Sequence, residues 1–152
     1  MSIVQSATTS FKVELMQAVH NFGPTSANTF KIALFTAAAN INQSTTAYTA
    51  GMTGEVSDSG TGYTTGGNTL TISQSPTSGN NTAGVPTAYI SFQNTSWPTA
   101  NFTARAALIY NSTQSNKSVA VLDFGSDKVV TGDTFTITFP TPDANNAIVR
   151  IS

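Results

Sequence analysis

The sequence predicts a mainly β single domain, an antiparallel β-sandwich or barrel with one amphipathic helix near its N-terminus. Two observations predict it. From residue 30 onward, short runs of alternating apolar and polar residues recur between clusters of Gly, Asn, Ser and Pro, as half-buried strands and their turns require. Only residues 10–22 carry an apolar stripe of helical period, so the chain has one substantial helix and no helix-strand alternation of the parallel α/β kind. Its 152 residues fit one such domain without staples, and the absence of cysteine removes disulfides, thiol chemistry and cysteine zinc sites.

Residues 1–9 read as a flexible arm in which Ile3 and Val4 precede a polar stretch, and residues 10–152 as the β-rich domain. Ser10 reads as a helix N-cap. Phe11, Leu15, Ala18, Val19 and Phe22 follow on one helical face, with Glu14 favoured near the positive helix end and Gly23-Pro24 as the stop. FKIALF (30–35) reads as a largely buried strand, and NTLTIS (68–73) alternates Leu70 and Ile72 with threonine. The stretch 74–86 has no period and many turn residues, which predicts an exposed loop. TAYISFQNTSW (87–97) reads as a strand closed by Trp97-Pro98. FTARAALIYN (102–111) and KSVAVLDFG (117–125) form a hairpin across STQSN. DTFTITFP (133–140) sends Phe135, Ile137 and Phe139 inward, and AIVRIS (147–152) supplies the last strand.

Charged residues are only 9% of the chain, against about 25% in average soluble domains. The six Lys and Arg and seven Asp and Glu leave a net charge of −1. Nucleic acid and anionic membranes both need clustered cations, so neither is an expected partner. No apolar run approaches the ~20 residues of a membrane-spanning helix. The segment MSIVQSATTSFKVEL lacks the basic start and apolar core of a secretion signal. Polarity comes instead from Thr, Ser and Asn, whose uncharged groups lose less on being covered by a partner than ammonium or carboxylate groups do. The N-x-S/T matches at Asn42, Asn80, Asn94, Asn101, Asn111 and Asn116 follow from that composition and carry no argument.

No constellation for catalysis, metal or cofactor emerges. His20 is the only histidine, on the apolar side of the helix, and no G-x-S-x-G elbow exists to pair with it; a structural role is expected. Asp123, Asp127 and Asp133 lack the spacing of a calcium loop; Asp127 reads as a turn start and Asp133 as part of a tight loop after Gly132. Glu55 and Asp58 are close acids that nothing marks as a glycosidase pair. The run GTGYTTGG (60–67) resembles a phosphate loop only superficially: its glycine spacing is wrong, it carries no P-loop lysine and the nearest lysines are far off in sequence, and a strand follows where a helix is needed. It reads as a surface loop with left-handed glycines that displays Tyr63. Arg105, in an alanine-rich strand, is expected to pair with Glu55 or Asp123, and Trp97 to sit at the core edge.

The order of Phe11–Phe22, KIALF, YTAGMTGEVSDSGTGYTTGG, ARAALIYN, VAVLDFG and AIVRIS resembles a family of small tailed-bacteriophage virion structural proteins, over roughly residues 11–152. The shared motifs are structural, so the resemblance implies assembly rather than a reaction. It implies a virion location after synthesis in the host cytoplasm, capsid decoration or cement duty first, and a neck, tail or baseplate role second. The implied partners are the major capsid protein and the chain itself, as a dimer or trimer. Under that reading Ile3 and Val4 would add a strand to a neighbour's sheet, while Tyr48, Tyr63 and Thr64 would touch a neighbour from the loop. A carbohydrate-binding adhesin is a further alternative, with Tyr48, Tyr63 and Trp97 as platforms.

Overall fold

A long antiparallel ribbon forms the spine of the computed structural model, which describes residues 2–152. Its strands are β6 (Thr95–Asn111) and β7 (Lys117–Ile137), joined by a 3-10 turn at Ser112–Gln114. In chain order the other elements are β1 (Ser6–Ala7), α1 (Thr9–Met16), β2 (Phe30–Phe35), β3 (Asn68–Leu70), β4 (Ile72–Asn80), β5 (Pro86–Phe92) and β8 (Val149–Ile151). One sheet runs β1-β7-β6-β2-β3 and the other β4-β5-β8, with every strand pair antiparallel. This is the β-sandwich-like domain with one N-terminal helix that the alternation predicts.

The first sheet is buried on both faces at its centre, which is why FKIALF and ARAALIYN read as near-continuous apolar runs. Phe30, Ile32, Leu34, Ala107, Ile109 and Val119 point into a core that also holds Phe11, Phe22, Ile90, Phe92 and Phe139. Ala33, Phe35, Ala106, Leu108, Tyr110 and Val121 point the other way, under Ala39, Ile41 and Tyr48 of the long connection between β2 and β3. A register shift between Ala104 and Ala106 moves Ala104 to the first core, so the ribbon changes face part-way along.

Several expectations are corrected. The helix starts two residues early: Thr8, not Ser10, is the N-cap, its hydroxyl accepting from the Phe11 N–H at 3.4 Å while its own N–H donates to Val119 O at 3.0 Å. It also ends at Met16, where Ala18 turns left-handed (φ 57°) and the N–H groups of Ala18 and Val19 bond the carbonyls of Leu15 and Glu14. Beyond that cap, His20 and Phe22 reach the core from irregular backbone, and Phe22 stacks on Phe30 at 4.3 Å. The stripe position at Phe22 is therefore packing without helix, and Val19 is only half-buried.

The stretch 74–86 is not a loop. Most of it is β4 pairing with β5 from Ile72↔Phe92 to Asn80↔Pro86, with bulges and Pro76 on an outer strand. Its side chains are mostly exposed on both faces, which erased the period. The Trp97-Pro98 pair closes nothing, because β6 already begins at Thr95, and 117–125 and 133–137 belong to one strand rather than two. The arm, finally, lies against its own chain: Ser6 and Ala7 pair with Val121 and Ala120, and Ile3 bridges Ile41.

Candidate functional site

The connection between β2 and β3 has almost no regular structure, and a single carboxylate organises it. Glu55 forms an isolated bridge with Phe35 at the end of β2, and its side chain meets Tyr48 of the second core and Tyr63 of the first. Its Oε1 accepts from the Tyr63 hydroxyl at 2.9 Å and the Gly66 N–H at 2.7 Å. Its Oε2 accepts from the Gly51 N–H at 2.9 Å, and the Tyr48 hydroxyl lies 3.0 and 3.1 Å from the two oxygens. The Tyr63 oxygen accepts in turn from the Leu34 N–H at 3.2 Å, and the Tyr110 hydroxyl donates to Gly66 O at 2.7 Å. Tyr48 stacks on Tyr110 at 4.4 Å.

Burial first, and the Glu55 carboxylate after it, push the Tyr48 and Tyr63 phenols well above their ordinary value; burial pushes Tyr110 up to about 12. All three therefore act as fixed donors. The glycines matter through closeness as much as through turning. Gly67, with φ 69°, lies so near β2 that a Cβ there would fall 1.8 Å from Ile32 O.

A second closed network joins α1 to the ribbon. Glu14, buried, accepts from Lys117 Nζ at 2.6 Å through Oε1 and from His20 Nε2 at 2.9 Å through Oε2. The Asn111 carbonyl oxygen accepts from the Gln114 N–H, so its amide nitrogen must donate, to Asn28 Oδ1 at 2.9 Å and to His20 Nδ1 at 3.0 Å. That assigns the His20 proton to Nε2, where it is spent on Glu14. Burial raises the Glu14 carboxyl, but the hydrogen bonds from Lys117 and His20 outweigh it and hold the group below its ordinary value. His20 is thus structural, as expected, and its partners are the buried side chains of Glu14 and Asn111.

Of the five residues proposed for contact, Tyr48 and Tyr63 come together on Glu55 and are 5% and 3% exposed. The expectation that the loop displays Tyr63 is overturned: the ring faces Trp97 and Phe102, and its hydroxyl satisfies a buried strand amide and carboxylate. Ile3 is half-buried beside Ile41 and packs against the second core, whereas Val4 and Thr64 are exposed. Trp97 is buried too, so none of the three supposed sugar platforms offers a face to solvent. Arg105 pairs with Asp123 at 3.0 Å, the Asp123 alternative rather than Glu55. That hydrogen bond, with one from the Gly125 N–H, holds the Asp123 carboxyl low.

Sequence reasoning missed Glu55 as an organiser. Its signal was present: it lies between Tyr48 and Tyr63 among glycines, the residue types that supply phenol and amide donors. Among the described residues no group of three His, Asp or Glu side chains could hold a metal, and no helix is long and apolar enough to cross a membrane.

Two recesses remain open. One, of about 330 Å³, lies between α1, Phe22 and the β5–β8 pair. The other, of about 760 Å³, runs between α1, β1 and β8. Comparison of the chain with protein-family models, curated proteins and solved structures returns no match.

Proposed function

We propose that this protein is a non-enzymatic virion structural protein of the capsid-decoration (cement) type, binding and stabilising the outside of a tailed-phage head. One observation carries the reading. The groups best suited to chemistry, namely Glu14, His20, Glu55, Tyr48, Tyr63 and Tyr110, are all consumed in two inward-facing hydrogen-bond networks. The exterior is left to Thr, Ser and Asn with few charges. A surface of that kind loses little when a lattice covers it, and a domain this small reaches the roughly 1,200–2,000 Å² of a stable contact through several patches. The motif order noted in the sequence supports the same reading. Its partners are then the major capsid protein and further copies of itself, meeting through the exposed rim rather than through Tyr48 or Tyr63.

Quantitative densitometry of purified particles, with a map of the particle, tests this. Hundreds of copies on the shell are expected. Six or twelve copies would move the protein to the neck, tail or baseplate, and absence from the particle would end the virion reading. Nothing favours the adhesin alternative once its aromatic platforms are buried.

A further inference from the structure

We propose that the larger recess is a strand-accepting groove, whose occupant is an extended segment of a partner chain alternating apolar with acidic residues. The inference goes beyond the virion reading and does not depend on it.

The groove lies where the last strand of each sheet faces the other. β1 ends the first sheet and β8 the second, and each has a partner on one side only. β1 contributes a ladder of two residues and β8 one of three, so both offer main-chain donors and acceptors on their outer sides. The floor between them is apolar, formed by Phe11, Leu15, Ala120, Leu122, Ile148 and Val149. Two of the molecule's most exposed large apolar side chains stand on its rim, Met16 at 83% and Ile151 at 57%. An extended chain satisfies this combination: its backbone bonds a free strand edge, and every second side chain enters the apolar floor.

Charge selects among extended chains. The lining includes Lys12 and Arg150 and no acidic side chain. Neither cation belongs to an ion pair among the described residues; the Arg150 guanidinium donates to the Asn145 carbonyl instead. Acidic residues on the alternate positions of the incoming strand would meet them. A second copy docking by the same face would bring the two pairs of cations into one contact with no acidic side chain in either lining, because a twofold contact joins identical patches. The charge pattern therefore favours a different chain.

Two capped synthetic hexapeptides, one alternating valine with glutamate and one alternating valine with lysine, test this against the intact isotope-labelled protein by amide chemical shift. The valine–glutamate peptide is expected to shift the amides of residues 5–7 and 149–151 saturably, and the valine–lysine peptide to bind at least about tenfold more weakly. Met16→Gln combined with Ile151→Thr alters exposed side chains only; it should weaken binding by about tenfold at an unchanged melting temperature. Lys12→Glu with Arg150→Glu should reverse the preference between the peptides. The proposal is overturned if neither peptide moves these amides at millimolar concentration, or if the rim variant binds as well as the parent. It is equally overturned if the same amides become protected by concentration-dependent self-association without peptide, which would make a second copy the occupant.

Discussion

Tyr63 shows how a residue's neighbours decide its meaning. In the sequence it stands among Gly, Thr and Ser, the company of a displayed loop residue, yet its ring lies beside Trp97 and Phe102 and its hydroxyl bonds Leu34 and Glu55. Thr64 and Thr65 beside it are polar because they form the loop's outer surface, while the Tyr63 side chain turns in. Nothing local distinguishes those cases; the partner, Glu55, is eight residues away and the strand amide twenty-nine. Tyr63→Phe should cost about 1–3 kcal/mol by leaving buried partners short of a hydrogen bond, and Tyr63→Ala about 3–5 kcal/mol, both read by denaturant unfolding. A Tyr63→Ala protein of unchanged midpoint would return the side chain to the surface. The opposite case is Ser91, 1% exposed, whose hydroxyl has no partner among the described residues. Ser91→Ala is expected to leave stability unchanged or raise it by up to about 2 kcal/mol, since it removes a desolvated hydroxyl that gains nothing in return.

Elements were legible where one face is buried and the other wet, or where both are buried. β2 and the β6–β7 hairpin belong to these classes; the register of β2 follows the alternation, whereas bulges in β6–β7, such as that between Ala104 and Ala106, shift faces in a way the alternation does not show. β4 was not legible, because a strand exposed on both faces has no period to read. The end of α1 was hidden for another reason: the apolar spacing continues through Val19 and Phe22, although Ala18 has already left the helix. Ala is an unusual residue at φ 57°, where a Cβ is penalised. Ala18→Gly should therefore stabilise the fold by up to about 1 kcal/mol in thermal melts, and a loss of stability would contradict the cap geometry.

The latch between α1 and the ribbon brings a pH dependence. Because the folded-state value of Glu14 lies below its ordinary 4.5, its contribution is fully present above that value and is lost as pH falls through the lowered one. Glu14→Gln should accordingly flatten the acid limb of the stability–pH profile; an unchanged limb would show that the latch carries no such term. The half-buried Arg105–Asp123 pair acts in the same direction, but solvent screening makes it the weaker contributor.

At the scale of the whole molecule, the fold class followed from composition and period alone, whereas the two buried networks did not. The α1 network joins residues far apart in sequence, such as Glu14 and Lys117, while the Glu55 carboxylate gathers donors from its own connection and reaches Leu34 and Tyr110 only through Tyr63 and Gly66. The arm was misjudged for the same reason, since its partners Ile41, Ala120 and Val121 are distant. Removing residues 2–7 deletes β1 and the Ile3 contact while keeping the Thr8 cap. It should lower stability by about 1–3 kcal/mol in equilibrium unfolding, and an unaffected midpoint would show that the docked arm contributes nothing.

The β6–β7 ribbon has one further consequence, which concerns force. Its open end at Thr95 and Ile137 and its closed end at Ser112–Gln114 lie at opposite ends of one antiparallel ladder. Tension applied across the open end peels the ladder rung by rung and meets little resistance. Tension applied along the strands loads many rungs at once and meets far more. The domain should therefore be mechanically anisotropic, yielding easily in one pulling direction and holding in the other, and the orientation of its attachments would decide which of the two it presents to a load.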